Sequence, residues 1–203
     1  MFITLEGPEG SGKTTHAPLL AQYLRQLGYT VFTTREPGGT QISDQIREVL
    51  TRLDNEGMNP RTELLLFCAA RAQLVEQVIR PRIAQGEIVI SDRYADSTLA
   101  YQGYGHGLDI DFLHRLLSFA TGNLKPDLTV LLDVDAEVGL SRKQKEGEWN
   151  RLDAYAVAFH QRVRAGYLEM ANAESERWQI IDAGQSYEEV QTVLFKLVAS
   201  KIK

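Results

Sequence analysis

Apolar residues recur along this chain in two alternating rhythms. Short β-prone runs at Phe2-Ile3-Thr4-Leu5, Tyr29–Thr34, Glu87–Ser91, Leu128–Val134 and Trp178–Asp182 predict five strands, several without polar interruption, as expected when both sheet faces are covered. Between them apolar residues return at three- and four-residue intervals. Leu19, Leu20, Tyr23, Leu24 and Leu27 mark one helix, and Thr40 can cap a second that runs to about Arg52. A long helical segment spans 61–84, with a bend expected at Pro81, and a further stripe lies at 108–120. Helices are also expected from Ala136, from 154 to about 173, and from 187 to 200. Strands separated by helices imply a parallel sheet with right-handed crossovers. The expected fold is therefore α/β, a three-layer α/β/α sandwich on a five-stranded parallel sheet.

One connection carries a complete chemical pattern. Gly7-Pro8-Glu9-Gly10-Ser11-Gly12-Lys13-Thr14 matches G-x-x-x-x-G-K-[ST], with a strand before it and a helix after it. Glycines let successive N–H groups turn toward one anion at a helix N-terminus, where unpaired donors and the positive dipole end favour phosphate. A nucleoside triphosphate is expected here. Lys13 would reach the β- and γ-phosphates, the Thr14 hydroxyl would ligate Mg²⁺, and Thr15 could touch another phosphate. The loop alone does not choose between a kinase, a GTPase and a motor ATPase.

Other candidates sit where open α/β sheets bind ligands, at the carboxyl ends of strands. Asp92-Arg93-Tyr94 ends the third strand: Asp92 is suited to Mg²⁺ or to proton transfer, and Arg93 to a second phosphate. Arg35-Glu36-Pro37-Gly38-Gly39 ends the second strand, and Arg35 could meet an anion or simply face solvent. Phe67 and Arg71, four apart on a helix, could present a ring and a guanidinium to one ligand, though spacing alone is met as well by a core Phe and a surface Arg. The stretch 96–103 offers hydroxyl, phenol and amide groups, which fit a nucleoside or a hydrated loop equally. From about 142 to 152 the chain is charged and broken by Gly147, with Arg142, Lys143, Lys145, Glu146, Glu148 and Arg151; it reads as a lid over phosphates or as a solvated helix.

Composition narrows the class. A chain of 203 residues suits a single domain, 1–203, and its net charge of −5 argues against a general nucleic-acid or membrane-surface binder. Cys68, the one cysteine, lies in an apolar run and is expected in the core, which leaves no disulfide framework. The four histidines lack zinc-ligand spacing and read as ordinary surface or helix residues. With no apolar run of membrane-spanning length and no leader pattern, a cytoplasmic enzyme is expected.

Taken together, the phosphate loop, Thr34-Arg35-Glu36-Pro37-Gly38-Gly39-Thr40, Asp92-Arg93-Tyr94 with Ser97-Thr98 and Ala100-Tyr101-Gln102-Gly103, and the Phe159–Tyr167 stretch resemble the thymidylate kinase family of P-loop phosphotransferases, almost end to end. The resemblance implies transfer of the ATP γ-phosphoryl group to dTMP with Mg²⁺, giving dTDP for dTTP synthesis. It assigns Phe67 to the thymine face, Thr98 and Gln102 to the base or sugar, and Tyr101, by bulk, to the sugar 2′ position. Arg71 and Arg93, with Arg35 nearby, would hold the acceptor phosphate. Glu9 matches an acidic position of the phosphate loop and Asp92 the carboxylate near the metal. Since Gly10 stands where one subgroup has a basic residue, a lid arginine is expected to act instead: Arg151 first, with Arg142 near adenine and Lys145 facing phosphate. The usual Ala-Asp-Arg of the helix is Ala69-Ala70-Arg71 here, and the usual Asp-Arg-Ile-Glu of the lid is Asn150-Arg151-Leu152-Asp153, so partners of both arginines must come from elsewhere. A homodimer through the helices at 64–79 and 108–120 is also implied. A regulatory GTPase is disfavoured, because no Asn/Thr-Lys-x-Asp guanine-reading motif is present.

Overall fold

The structure, a computed structural model, describes residues 1–147 and 149–202; Glu148 and the Glu146 side chain, both within the expected lid, and Lys203 lie outside the described residues. Five strands, β1 (Phe2–Glu6), β2 (Val31–Arg35), β3 (Ile88–Asp92), β4 (Leu128–Asp133) and β5 (Trp178–Asp182), form one sheet in the order β2-β3-β1-β4-β5. All four pairings are parallel; Leu5 lies opposite Asp92 on β3 and Val130 on β4. The expected three-layer architecture is therefore the observed one.

Strand alternation divides the core. Ile3, Leu5, Ile90 and Val130 face α1 (Lys13–Gln26) and α9 (Tyr187–Lys201), where Leu20, Leu24 and Leu194 close the layer. Tyr23 and Phe195 stack across these two helices with ring centroids 4.4 Å apart. On the other face, Phe2 and Val89 pack beneath α3 (Pro60–Leu74), while Leu131 and Trp178 pack beneath α8 (Val157–Ala173). Apolar cover on both faces explains why the strands read as continuous apolar runs. Between β2 and α3 lies α2 (Gln41–Thr51), capped as expected by the Thr40 hydroxyl, which accepts from Ser43 N–H at 3.1 Å.

Two local expectations change. The helical run through 84 is irregular ahead of Pro81: α3 passes into a π-helical stretch, Val75–Ile79, before α4 (Arg80–Ala84). Proline has no N–H to return to the preceding turn, so the ladder loosens there. The stretch 96–103, open between nucleoside contacts and a hydrated loop, is helical: α5 (Ala95–Thr98) continues as a π-helical stretch, Leu99–Gly105, with Leu99, Ala100, Tyr101 and Gln102 all buried. His16 and His160, read as surface or helix residues, lie on α1 and α8 and are 3% and 1% exposed, and Cys68 is buried as expected, beside α6 (Ile110–Thr121). After β4, α7 (Ala136–Glu146) ends on Gly147, whose φ of 76° is the left-handed conformation that closes helices.

Candidate active site

The carboxyl ends of β1, β2 and β3 open into a cavity of about 230 Å³. On one side it is lined by the loop from Glu9 to Thr15. Opposite lie Phe67, Arg71, Thr98, Tyr101 and Gln102, and between the two stand Arg35, Arg47, Asp92 and Arg93. Of the expected site residues, Gly7 and Pro8 lie just behind this wall, and Arg142, Lys145 and Arg151 do not line it.

Within the loop, Gly12 takes a left-handed φ of 88° and caps α1. The Lys13 ammonium is buried and donates to Gly7 O at 3.0 Å, Pro8 O at 2.7 Å and Ser11 Oγ at 2.9 Å. Burial, with the Arg93 charge added to it, pulls its pKa down to about 8. Thr14 Oγ1 donates to Asp92 Oδ2 at 2.7 Å, so the two expected metal-side groups are already adjacent. The packing explains why no side chain, basic or otherwise, stands at position 10: a Cβ there would lie 2.0 Å from Gly139 O on α7, and φ is 65°. The packing is reciprocal, since a Cβ on Gly139 would lie 2.1 Å from Glu9 O.

Arg93 ties the loop to the acceptor side. Its φ of 70° is unusual for a residue with a side chain, and such strain concentrates at functional positions. One guanidinium nitrogen donates to Gly7 O at 3.0 Å and Tyr167 Oη at 3.1 Å; the other donates to Glu9 Oε1 at 2.8 Å and Tyr101 Oη at 3.0 Å. Tyr101 Oη in turn donates to Glu9 Oε1 at 2.8 Å, so its phenol is engaged as well as its bulk. Burial favours the neutral Glu9, but the charges of Arg93 and then Lys13 outweigh it and hold the pKa down at about 2.

Arg71 is 1% exposed and lines the cavity, with Nε donating to Glu36 Oε2 at 2.7 Å, and the other nitrogens to Thr98 Oγ1 at 2.9 Å and Tyr94 O at 3.0 Å. The Glu36 carboxylate keeps one buried oxygen, Oε1, without a partner among the described residues. Arg151 is likewise buried, at 2% exposure, and points away from the cavity to Glu63 and the Leu50 carbonyl. Arg142 donates to Ala183 O at 2.8 Å, beside the turn after β5, and Lys145 is exposed.

Sequence reasoning missed several members of this site. Arg47, on α2, lines the cavity and donates to Pro37 O at 2.9 Å; its spacing from Arg35 on a different element gave no signal. Glu6, Glu36 and Glu63 were assigned no role from the sequence, yet each is buried and bonded, Glu6 to Ser97, Glu36 to Arg71 and Glu63 to Gln102 and Arg151. A lone acid inside or bordering an apolar run is the signal that was available.

A family profile described as Thymidylate kinase matches residues 5–194. The chain belongs to the thymidylate kinase family. A thymidylate kinase of Roseiflexus sp. (strain RS-1) is 52% identical over 200 residues, covering 93% of this chain and 88% of that protein. One of Thermomicrobium roseum is 51% identical, covering 100% and 96% respectively. The crystal structure of thymidylate kinase from Ehrlichia chaffeensis superposes with a TM-score of 0.80 at 36% identity, covering 98% of both chains. Against the usual thymidylate kinase patterns, the two departures in this chain have structural answers. Ala70 lacks a carboxylate, and Glu36, from the loop after β2, supplies the partner of Arg71. In the stretch 150–153, Arg151 is held by Glu63 and Tyr155, while Asp153 Oδ2 accepts from Asn150 N–H at 2.9 Å.

Proposed function

We propose that this cavity seats the triphosphate end of ATP against the acceptor phosphate of dTMP, with the loop 7–15 on the donor side and Phe67, Arg71, Thr98, Tyr101 and Gln102 on the acceptor side. As a member of the thymidylate kinase family the chain is a dTMP kinase: it phosphorylates dTMP to dTDP, a step of dTTP synthesis. The observation that carries the arrangement is Arg93, whose guanidinium bonds both Gly7 O and Glu9 of the phosphate loop while lying 5.0 Å over the Tyr101 ring. One side chain therefore spans donor and acceptor halves.

The work of the protein in phosphoryl transfer is positioning and charge compensation. Lys13 and Arg93 converge on the point where the transferred group would sit, and Glu9 holds Arg93 in that position. Arg71, Arg35 and Arg47 surround the acceptor phosphate, while Phe67 covers the base and Tyr101 the sugar 2′ position. Arg142 and Lys145, which do not line the cavity, would serve the adenine and outer phosphates of ATP from outside it. The hard-oxygen pair Thr14 and Asp92 fits Mg²⁺, an ion usually held by one or two protein groups and the substrate phosphates; among the described residues no cluster of three or more His, Cys, Asp or Glu offers a cage to another metal. When bound there, Mg²⁺ would neutralise charge on the phosphates.

A homodimer is proposed through α3 and α6, and a cytoplasmic location accords with there being no described helix long and apolar enough to cross a membrane. The test of the substrate reading is turnover of ATP with dTMP, dUMP, CMP and AMP. dTMP should give the highest kcat/KM, and a faster reaction with CMP or AMP would overturn the acceptor-site assignment.

A further inference from the structure

Glu63 lies one helical turn before Phe67 and two before Arg71, so α3 places three charged or aromatic groups along one face at intervals of four. Its carboxylate is 1% exposed and serves four partners. Oε2 accepts from Arg151 at 2.6 Å and from Tyr155 Oη at 2.9 Å. Oε1 accepts from Gln102 Nε2 at 2.8 Å and lies 3.2 Å from His106 Nε2. Buried charges persist only when paired in this way. Although burial pushes the carboxyl toward its neutral form, the bonds from His106, Gln102 and Arg151 hold its pKa at about 2.

An ionised carboxylate can only accept hydrogen bonds. The amide that touches it must therefore turn its NH₂ toward Glu63, and the carbonyl of the same amide must face the other way. Gln102 lines the cavity, and its Oε1 accepts from none of the described residues. We propose that Glu63 is a positioning residue for acceptor choice: by fixing the Gln102 amide it presents a carbonyl oxygen, and not an NH₂ group, to the nucleobase. Thymine carries N3–H, a donor that meets a carbonyl. Cytosine has an unprotonated N3, an acceptor, and the two oxygen and nitrogen lone pairs would face each other unpaired. Discrimination against a base that leaves buried polar groups unmatched exceeds what shape alone supplies. Arg151 and Tyr155 complete the other half of the carboxylate and so keep it charged and immobile.

The inference rests on the reading that Gln102 faces the base, and the experiment separates the two. The ratio of kcat/KM for dTMP to that for dCMP is measured for the wild type, Glu63→Gln and Gln102→Leu. With a neutral amide at 63, Gln102 can turn either way, so the ratio should fall at least tenfold. A merely structural defect would lower both substrates alike and leave the ratio unmoved. Because Glu63→Gln strands the buried Arg151, the double variant Glu63→Gln/Arg151→Gln is compared with Arg151→Gln alone by equilibrium binding of the two nucleotides. Arg151→Gln should keep the wild-type preference and the double variant should lose it. An unchanged preference in both Glu63 variants, with a lowered one in Gln102→Leu, overturns the role of Glu63. An unchanged preference in Gln102→Leu overturns the base-facing reading and this inference with it.

Discussion

Arg151 Nη2 lies 2.6 Å from Glu63 Oε2, a pair whose side chains are 2% and 1% exposed. The lid arginine expected over the phosphates is thus docked on α3, and the backbone follows it: Arg151 N–H donates to Thr51 O at 3.2 Å and its Nε to Leu50 O at 2.8 Å. Removing one member of a buried pair leaves the other charge uncompensated, at a typical loss of about 3–5 kcal/mol. Arg151→Ala should therefore lower the unfolding free energy by about that amount. If closure of the 142–152 segment frees Arg151 from Glu63 to reach the phosphates, turnover should also fall by roughly a hundredfold or more, as for arginines that stabilise phosphoryl transfer. Denaturant titration and kcat at saturating ATP and dTMP report the two separately. Unchanged stability would mean the docked pair is absent in solution, and unchanged turnover would remove Arg151 from the chemistry.

Tyr101 acts through its hydroxyl as well as its ring. Since Oη donates to Glu9 and accepts from Arg93, Tyr101→Phe leaves both charged groups one partner short in a buried site. A lost bond to a charged group is worth about 1.5–3 kcal/mol, so kcat should drop by roughly one to two powers of ten. Discrimination against the ribonucleotide should survive, because the ring still fills its space, and should relax in Tyr101→Ala. Wild-type kcat in Tyr101→Phe would show that the Glu9–Arg93 pair needs no third partner.

Gly139 reverses an ordinary rule. Alanine in place of a helical glycine is normally stabilising by about 0.5–1 kcal/mol. Here the added Cβ would lie 2.1 Å from Glu9 O, a backbone atom of the phosphate loop. Gly139→Ala should thus lower Tm and raise the KM for ATP together, because loop and helix α7 must separate. A higher Tm with a normal KM would show that the contact yields without consequence.

The architecture was legible because it follows from periodicity: five apolar runs became five strands, and the phosphate loop needed only its own eight residues. What stayed hidden was pairing across distance. Glu36 and Arg71 are 35 positions apart and Glu63 and Arg151 are 88 apart, so no local pattern announces that either acid is buried against its arginine. Likewise the 95–105 stretch is helical because Leu99, Ala100 and Tyr101 find cover beneath α6 and α8, a tertiary cause that polar neighbours such as Asp96, Ser97 and Gln102 disguised. Gly10 could be read as a missing cation, but its reason, the backbone of Gly139, required the fold.

Assembly can be tested on the exposed face of α6. Phe112, Leu116 and Phe119 recur at helical spacing, with Phe119 86% and Phe112 48% exposed, and Leu65 on the adjoining α3 is 58% exposed. Clustered apolar exposure of this kind marks an interface. Sedimentation should give twice the 22.8 kDa chain mass for the wild type and the single-chain mass for Leu65→Asp/Phe119→Asp. A wild type that sediments as one chain excludes the proposed dimer.

Glu6, at the end of β1, makes stability depend on pH. It is fully buried and accepts from Tyr94 N–H at 2.8 Å, Ser97 Oγ at 2.6 Å and Tyr167 Oη at 3.0 Å. These bonds and the Arg93 charge favour the carboxylate, but burial, and next the nearby Asp96, outweigh them and raise the pKa from 4.5 to about 7. Below about pH 4.5 the group is protonated folded and unfolded, and its titration adds no pH dependence to stability. Between about 4.5 and 7 the folded chain keeps a proton that the unfolded chain releases, so stability falls as pH rises; above 7 the loss is complete. Each pH unit separating the folded and unfolded pKa values is worth about 1.4 kcal/mol, so the whole effect is about 3 kcal/mol. Glu9 and Glu63 act in the opposite sense but lower, between about 2 and 4.5, whereas Asp153, raised to about 6 chiefly by burial, acts in the same sense but between about 3.8 and 6. The difference between wild type and Glu6→Gln cancels those other groups. Unfolding free energies measured from pH 4.5 to 7.5 should therefore show wild-type stability declining relative to the variant by about 3 kcal/mol, with the steepest change near pH 6. Parallel curves across that range would mean that Glu6 is ionised in the folded chain throughout and that the hydroxyls of Ser97 and Tyr167, with Arg93, outweigh its burial.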